Sequence, residues 1–346
     1  MGLTDALARL IRREDLPPEL ARECLTTILS GEATDAQIAG FAVALRAKGE
    51  TPAELAALVS TMLAFAERVE VADPSHLIDT CGTGGDRAGT VNVSTMAALV
   101  AAGAGARVAK HGNRAASSQC GSADVLEALG VVIDLPPAGV ARCIDDVGIG
   151  FCFAQKFHPA LRFAGPVRKE IGVPTTFNYL GPLANPAGVP RQSVGVADPA
   201  MAERIIGALA ALGKTRALLY FGHDGLDELT TTTTSTVFEL VDGEIRSFEL
   251  DPTALGFARA DAAHLAGGDA ATNAAIVRSV LGGELGPIRD IVVLNAAAAL
   301  VVADLASDMT AGVELGAEVI DDGRAAAVLD AFIVTSQAAA EEVVSA

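Results

Sequence analysis

The first 68 residues carry only the apolar spacing of α-helices. Thr34 and Thr51 each precede a Gln or Glu by three residues, the pattern of a capping box at a helix start. Gly31 and Gly49 stand where helices end. We expect a small helical packing unit here. Its apolar face is shown by Leu55, Leu58, Val59, Met62 and Phe65.

From Val71 onward, short apolar runs alternate with helical patterns. Helices are predicted at Ser122–Leu129, closed by Gly130, and at Asp198–Leu212, capped by Asp198 and stopped by Gly213. This alternation predicts right-handed β-α-β units and an α/β fold with a mostly parallel sheet. The predicted strands are Leu77–Thr80, Arg107–Lys110, Gly148–Phe153, Ser193–Ala197 and Arg216–Phe221.

The second half of the chain opens with a hairpin pattern and then becomes helical. Thr232–Leu240 and Glu244–Leu250 flank Asp242-Gly243, which favours a tight β-turn. Helices dominate from Asp269 onward. The most apolar stretch, Ile291 to Ala306, contains an asparagine and is too short to span a bilayer, so we expect a buried core helix.

The segment from Pro159 to Asn185 is the least regular part of the pattern. We expect one helix over Ala160–Ile171, followed by a loop interrupted by Pro and Gly.

Composition limits the classes of function. A chain of 346 residues with 51% hydrophobic and 20% charged residues is typical of a well-buried globular protein, with two packed units as the expectation. The formal net charge of −18 argues against nonspecific nucleic-acid binding and against binding to anionic membranes. A protein this acidic must gather its few cations, or recruit metal ions, in order to bind a polyanion.

The five cysteines are scattered and form no CxxC pair, which disfavours a zinc site or a disulfide framework and fits a reducing cytoplasm. Cys81 and Cys120 lie near the loops described next. They are either small buried residues, which we favour, or catalytic thiols. The N-terminus shows no signal-peptide pattern.

A glycine-rich loop follows the first predicted strand, in the run Asp79-Thr80-Cys81-Gly82-Thr83-Gly84-Gly85-Asp86. Glycines let the backbone turn through positive φ and approach a ligand closely. Loop amides and the following helix N-terminus can then face an anion. The loop has neither the Walker A ending nor the full dinucleotide spacing, so by itself it is either a phosphate loop or a structural turn.

A second loop, Lys110-His111-Gly112-Asn113-Arg114, follows the next predicted strand. Strand carboxyl ends collect ligands in open α/β sheets, and Lys110 would supply a point charge there. Hydroxyl groups that suit phosphate and ribose oxygens cluster nearby. Ser94 and Ser122 are also placed to cap helices, and the two roles are compatible. The hydroxyl residues are Thr90, Ser94, Thr95, Ser117, Ser118 and Ser122.

Charged groups further along the chain suit a metal ion and a carboxylate. Asp227 and Glu228, with Asp224 close by, are either Mg²⁺ ligands or a solvated acidic turn. Arg168 is either a fork for an organic carboxylate or a partner of Glu170 on a helix surface.

These motifs, with Asn178-Tyr179-Leu180-Gly181-Pro182-Leu183-Ala184-Asn185-Pro186, resemble in order those of the anthranilate phosphoribosyltransferase family up to about Ser336. The resemblance implies transfer of phosphoribosyl from phosphoribosyl pyrophosphate (PRPP) to the amine of anthranilate in L-tryptophan biosynthesis. It implies Mg²⁺ as cofactor, with two ions per monomer, no covalent enzyme intermediate, a homodimer and no nucleic-acid or membrane partner. Arg87 departs from the family pattern, which has glycine there and so leaves the end of the glycine loop in question.

The resemblance also assigns residues to each ligand. Asp227 and Glu228 would bind the metal, with the Ser94 hydroxyl on a second ion. Anthranilate would contact Gly82, Asn113 and Arg168. His111 and His158 are either walls of the site or bases, and His111 is the candidate helper. PRPP would contact Gly82, Gly85, Asp86, Thr90, Asn92, Val93, Ser94, Thr95, Lys110, Asn113, Ser117, Ser118 and Ser122.

The resemblance further implies a discontinuous small helical domain, residues 1–70 with about 158–188, that carries the dimer contact and the anthranilate side. A large α/β domain, residues 71–157 with about 189–346, would bind PRPP and Mg²⁺. We expect a hinge where the chain crosses, near 68–72 and 155–190. Two rivals remain: a pyrimidine nucleoside phosphorylase, which would carry Lys-x-Ser-Gly-Arg at 110–114, and a nucleic-acid-binding paralogue, which the net charge disfavours.

Overall fold

The computed structural model describes residues 2–115 and 119–345. Its N-terminal segment is helical, as predicted, and both capping boxes form at Thr34 and Thr51. Each threonine hydroxyl accepts the backbone N–H three residues on, which satisfies one of the free donors of the helix start. The helices are α1 (Gly2–Ile11), α2 (Pro18–Leu29), α3 (Asp35–Lys48) and α4 (Pro52–Ala64).

A seven-stranded sheet forms the centre of the fold, in the order β3-β2-β1-β4-β5-β6-β7. The first five strands in that order are parallel, and β6 and β7 pair antiparallel at one edge, so the predicted mostly parallel sheet is confirmed. The strands are β1 (Leu77–Gly82), β2 (Arg107–Gly112), β3 (Ile149–Phe153), β4 (Arg191–Gly195), β5 (Arg216–Gly222), β6 (Ser235–Val241) and β7 (Glu244–Leu250).

Three strand boundaries differ from the prediction in ways that affect the site. β1 and β2 each run two residues further than predicted, so the strands themselves include Gly82 and Gly112 and both loops start two residues later. β6 begins at Ser235 rather than Thr232. The reason is the Asp224 carboxylate, which accepts hydrogen bonds from the hydroxyls of Thr230 and Thr232 and keeps that stretch in the preceding loop.

Helices cover both faces of this sheet. The helix predicted from Asp269 onward starts at Ala270, and the apolar stretch forms a helix that is fully buried over residues 291–302. The remaining helices are α5 (Val93–Gly103), α6 (Ser122–Leu129), α7 (Pro137–Val147), α8 (Ala154–Phe157), α9 (Gly165–Ile171), α10 (Phe177–Leu183), α11 (Pro199–Ala211), α12 (Ala270–Leu281), α13 (Pro287–Val302), α14 (Met309–Asp321) and α15 (Arg324–Ser345).

The single helix expected over Ala160–Ile171 is wrong. A 3₁₀ turn covers Pro159–Phe163 and α9 starts afresh at Gly165. Pro166 explains the break, because proline has no N–H to continue the ladder and fits only a first helical turn. α10 then occupies part of the segment that was expected to be a loop.

Two apolar cores lie on opposite faces of the sheet. One packs α5, α6, α7, α13 and α15 against it, and the other joins α1–α4 and α10 to α11. α11 therefore connects the N-terminal helices to the sheet. The proposed domain limits and hinge remain predictions. In the described part of the chain, no helix has the length and apolar character needed to cross a membrane.

Candidate functional site

Two adjoining cavities open beside the carboxyl ends of β1 and β2. The first, the phosphate-side cavity, has a volume of about 220 Å³ and is lined by the glycine loop, the start of α5, the Lys110 loop and both acidic residues. It lies where β1 has β2 on one side and β4 on the other, the switch point at which open α/β sheets bind ligands. Every described residue predicted to contact PRPP lines it: Gly82, Gly85, Asp86, Thr90, Asn92, Val93, Ser94, Thr95, Lys110, Asn113 and Ser122.

Asp227 reaches this cavity because two neighbouring strands end in glycine. Gly82 of β1 and Gly195 of β4 lie side by side in the sheet. A Cβ on Gly195 would lie 1.6 Å from the Asp227 carbonyl oxygen, and one on Gly82 would lie 2.4 Å from its Oδ2. The role of Gly195 was not predicted from the sequence. The signal available was a glycine inside the predicted strand Ser193–Ala197, which the structure instead ends at Gly195.

The two acidic side chains are buried and accept hydrogen bonds from the main chain. The N–H of Gly84 donates to Asp227 Oδ2 at 2.6 Å, and the N–H of Ser94 donates to Glu228 Oε1 at 3.2 Å. Burial raises the pKa of both carboxyls, and nearby Asp86 raises that of Asp227 further. The solvated-turn alternative is therefore wrong. The backbone amides of Gly84 and Ser94, which were expected to face a bound anion, instead donate hydrogen bonds to these two carboxylates.

Lys110 is buried in the wall of the phosphate-side cavity. Its Nζ donates to the Thr80 carbonyl at 2.6 Å and to Ser94 Oγ at 3.3 Å. Burial lowers the pKa of the Lys110 amine, while Asp79 and Glu228 act in the opposite direction. The lysine thus supplies positive charge next to the acidic pair and holds the Ser94 hydroxyl in place.

The serine-capping interpretation is wrong at both helix starts. The residue that precedes α5 is Asn92, and the residue that precedes α6 is Gly121, whose N–H donates to the Asp124 carboxylate. Ser122 instead donates its hydroxyl to the Asn113 carbonyl. Ser117 and Ser118, also predicted to contact PRPP, lie outside the described residues.

Some predicted contact residues also serve the framework. Asn92 donates to the Cys120 carbonyl and accepts from the side-chain amide of Asn273. Thr95 lies 2% exposed at the cavity, and its hydroxyl has no partner among the described residues. An orphaned buried hydroxyl beside a cavity is a polar group available to a ligand.

Arg168 belongs to the second space, the arginine-side cavity, of about 330 Å³. This cavity is also lined by Gly82, Asn113 and Phe177. The Arg168 guanidinium lies 5.7 Å from the centre of the Phe177 ring. Burial lowers its pKa, and no carboxylate pairs with it in the described ranges, so the predicted alternative of an ion pair with Glu170 is wrong. An unpaired, partly buried guanidinium is suited to an organic carboxylate.

His111 and His158 form a buried pair with ring centres 5.2 Å apart. Burial, together with the neighbouring imidazole, lowers the pKa of His111 to about 3, and burial lowers that of His158 to about 4. Both rings are therefore neutral near pH 7, which favours the wall interpretation over a general base.

The thiols near the cavities show the features of structural residues. All five cysteines are buried thiols outside disulfide bonds, and burial raises the pKa of Cys81 and Cys120. A protonated thiol is a poor nucleophile, so the catalytic-thiol alternative is disfavoured.

Asp79 and Asn185 brace the Lys110 loop and were not given a role from the sequence. The Asp79 carboxylate is fully buried and accepts from the His111 N–H and from Asn185 Nδ2. Asn185 also donates to the Ala109 carbonyl. The signal available in the sequence was a charged residue within an apolar strand.

Arg87 adopts φ 57°, in the left-handed region that favours glycine. The departure from the family pattern is therefore accommodated with the backbone conformation a glycine would take. Arg87 does not line the phosphate-side cavity.

The donor set of the phosphate-side cavity fits Mg²⁺. Among the described residues, no three His, Cys, Asp or Glu side chains come close enough to enclose an ion by themselves. Mg²⁺ prefers oxygen ligands, uses one or two carboxylates and completes its shell with water and phosphate oxygens. Asp227, Glu228 and the Ser94 hydroxyl supply such oxygens beside a space large enough for phosphates.

Comparison with known proteins agrees with the geometry. Residues 4–66 match the helical bundle domain of the glycosyl transferase family, and residues 74–326 match its a/b domain. Anthranilate phosphoribosyltransferase from Nocardioides sp. is 55% identical, over 96% of this chain and 98% of its own length.

Solved structures give the same result. The enzyme from Thermus thermophilus superposes with a TM-score of 0.91 at 43% identity, covering 96% of this chain and 99% of the other. That from Saccharomyces cerevisiae, solved with PRPP and Mg, has a TM-score of 0.89 at 27% identity, covering 97% and 98%. The chain therefore belongs to the anthranilate phosphoribosyltransferase family, the pentosyltransferases that transfer phosphoribosyl from PRPP to anthranilate in tryptophan biosynthesis.

Proposed function

We propose that this chain catalyses that transfer with PRPP and Mg²⁺ in the phosphate-side cavity and anthranilate in the arginine-side cavity. The observation that carries the proposal is the wall shared by the two cavities. Gly82 and Asn113 line both, so a sugar in one would face an amine in the other. The products are N-(5-phosphoribosyl)anthranilate and pyrophosphate.

Asp227, Glu228 and Ser94 would hold the metal, with two ions per monomer as the proposed number. Bound Mg²⁺ offsets the charge of the departing pyrophosphate. The chain's own residues supply the rest of the phosphate environment. Lys110 adds a fixed positive charge behind Ser94, and Thr95 offers its unpartnered hydroxyl.

Arg168 would bind the anthranilate carboxylate, because its guanidinium presents two parallel donors and has no competing ion pair within the described ranges. Asn113 would contact the amine, since its amide carries both donors and an acceptor. Phe177 lies beside the guanidinium and adds an apolar wall for an aromatic ring.

The reaction needs no covalent enzyme intermediate. Departure of pyrophosphate leaves an oxocarbenium-like sugar, which the aromatic amine attacks directly. The two cavities hold the reactants side by side, and this positioning replaces a nucleophile on the protein. Neutral His111 lines both cavities and would form a wall that excludes water from the shared space, with the buried His158 ring packed behind it.

We further propose a homodimer that forms through the helical bundle and a cytoplasmic location. Ile11 on α1 and Val43 on α3 are 77% and 46% exposed, and a subunit contact through the bundle would cover such apolar side chains. Five free cysteines are consistent with a reducing compartment. Light scattering measures the molar mass of the parent chain and of Val43→Glu in solution. A monomeric parent would contradict the proposed dimer.

Loss of anthranilate fluorescence tests the proposed function. We expect the fluorescence to fall only when PRPP and Mg²⁺ are both present, and pyrophosphate to appear in equal amount. A parallel incubation with thymidine and phosphate addresses the nucleoside phosphorylase rival. Phosphorolysis of thymidine without consumption of anthranilate would overturn the proposal.

A further inference from the structure

One polar side chain interrupts the buried part of α13. Every other residue of 291–302 is apolar, and Asn295 is itself only 1% exposed. A buried amide without partners would destabilise this helix, because transfer of an unpaired polar group from water costs free energy. Asn295 has partners, and one of them, Leu229, directly follows the acidic pair.

Asn295 binds both polar backbone groups of Leu229. Its Oδ1 accepts the Leu229 N–H at 2.9 Å, and its Nδ2 donates to the Leu229 carbonyl at 2.8 Å and to the Ile291 carbonyl at 2.8 Å. These two hydrogen bonds to the Leu229 N–H and carbonyl are the ones that a neighbouring β-strand would make. They also fix the orientation of the amide, since a flipped amide would place two donors face to face.

Leu229 directly follows Asp227 and Glu228, in a loop that is irregular and buried. Residues 226–231 are all buried, although no strand or helix includes them. Buried backbone groups outside regular structure need specific partners. Without Asn295, the N–H and carbonyl of Leu229 would lose those partners. The backbone that carries Asp227 and Glu228 would then lose its link to α13.

A separate anchor holds the other end of this loop. The Asp224 carboxylate accepts from the Thr230 hydroxyl at 2.6 Å and from the Leu226 N–H at 3.2 Å. Asp224 thus faces Thr230 rather than joining the acidic pair. These bonds join residues within the loop, whereas Asn295 joins the loop to α13 in the core.

We propose that Asn295 is a positioning residue: by fixing the Leu229 backbone, it sets the position and orientation of the Asp227 and Glu228 carboxylates for the metal–PRPP complex. The proposal rests on the proposed function. Asn295 does not line either cavity, so it acts through the Leu229 backbone rather than by touching substrate. Loss of groups that orient metal ligands typically weakens metal binding by about 10–100-fold.

The test compares Asn295→Ala with Ser336→Ala. Ser336 is a matched control, because it is also fully buried and its hydroxyl accepts the Val132 N–H at 3.0 Å, on α15 and away from both cavities. Calorimetric binding of PRPP is measured over a range of Mg²⁺ concentrations, with steady-state kinetics for both substrates. The parent chain is measured first.

Both variants should unfold at lower temperature than the parent, but only Asn295→Ala should need about tenfold more Mg²⁺ for half-maximal PRPP binding. Its KM for anthranilate should stay within about twofold of the parent, since Arg168 is untouched. Equal Mg²⁺ dependence in the two variants would overturn the inference. A parent that does not bind PRPP with Mg²⁺ would instead overturn the proposed function.

Asn295→Ser keeps the test decisive if the alanine variant does not fold. The shorter side chain leaves a smaller cavity and can keep one bond to Leu229, so its Mg²⁺ dependence should lie between those of the parent and the alanine variant. Hydrogen exchange in the parent gives an independent result. A Leu229 amide that exchanges as fast as an unstructured peptide would contradict the contact itself.

Discussion

At the residue scale, burial gives the acidic pair its chemical character. Asp227 and Glu228 are 9% and 8% exposed, and their pKa values are raised because water is excluded from them. A carboxylate in such a place is costly without a cation beside it. The same residues on an open turn would be solvated and would have no particular affinity for a metal.

Asp227→Asn combined with Glu228→Gln should lower turnover by about a thousandfold, since several kcal/mol of charge stabilisation by the metal is lost. In the absence of Mg²⁺, the double variant should unfold at the same temperature as the parent or higher, because two buried charges are removed. Thermal unfolding with and without Mg²⁺ and PRPP measures the stability effect, and steady-state kinetics measures turnover. The exposed pair Glu244→Gln with Glu249→Gln serves as control. Near-normal turnover in the folded variant would contradict the metal assignment.

Arg168→Ala should raise the KM for anthranilate about ten- to a hundredfold, the value of a charge-assisted contact of roughly 1.5–3 kcal/mol. The KM for PRPP should stay near that of the parent. Lys169→Ala is the matched control, because Lys169 is the neighbour on the same helix and does not line the cavity. Steady-state kinetics with each substrate varied separately tests this. A weaker PRPP site with unchanged anthranilate affinity would require the two cavities to be reassigned.

His111 and His158 should make stability depend on pH in a defined direction. Their folded pKa values, about 3 and about 4, lie below the usual 6.5, so the unfolded chain binds more protons between these limits. Stability is therefore fully present above pH 6.5 and is lost as pH falls toward 4. The variant His111→Asn with His158→Asn should flatten this slope in urea titrations at several pH values. An unchanged slope would show that the rings do not titrate as the structure indicates.

At the element scale, two capping boxes that are alike in sequence differ in their surroundings. Among the described residues, the Gln37 side chain of α3 accepts only from the exposed Thr34. The Glu54 side chain of α4 is fully buried and accepts from the backbone of Thr51 and Leu16, each at 2.7 Å. It also receives Lys48 Nζ at 2.8 Å. The second box therefore joins three parts of the bundle.

Gln37→Ala should lower the free energy of unfolding by about 1 kcal/mol, the usual value of a helix cap. Glu54→Ala should lower it by about 3 kcal/mol or more, because a buried lysine loses a partner and the N–H groups of Leu16 and Thr51 are left unpaired. Urea unfolding of the two variants measures the difference. Equal losses would show that the tertiary contacts of Glu54 add nothing.

At the scale of the whole molecule, the two predicted crossings lie against each other. The Glu67 N–H donates to the Phe157 carbonyl at 3.0 Å, and the Val69 N–H donates to the Pro186 carbonyl at 3.3 Å. α4 packs on α11 next to this point, and Arg46 pairs with Asp198 across the contact at 2.5 Å. We predict that rotation between the two parts pivots here, with the wider movement at the cavities.

Closure should bring Arg168 toward the phosphate-side cavity and expel water that would hydrolyse PRPP. We expect a smaller radius of gyration in small-angle scattering when PRPP, Mg²⁺ and a nonreactive anthranilate analogue are all present. Each ligand alone is the control. Hydrogen exchange should slow at residues 68–72 and 155–190. An unchanged radius together with unchanged exchange at both crossings would rule out this hinge.

The sequence by itself determined most of the element types and the mostly parallel sheet. These follow from short-range chemistry: apolar periodicity, caps, a hairpin turn, and glycine-rich loops after strands. Motif order then assigned the family. The break at Pro166 was also readable from the chain, although the sequence interpretation placed a continuous helix there.

Only the tertiary structure decided which of these residues are buried, paired or free. Glu54 and Gln37 occupy equivalent capping-box positions in the sequence, and Ser94 and Asn92 were both expected to contact PRPP. In the structure, however, Glu54, Ser94 and Asn92 pair with distant segments of the chain. Little in the sequence indicated a role for Asn295 or Gly195. Their roles depend on where the Asp227 loop lies: it packs against the glycines that end β1 and β4, and Asn295 of α13 binds its backbone. Burial and long-range contact change a pKa and orient a carboxylate, and neither quantity is a local property of the chain.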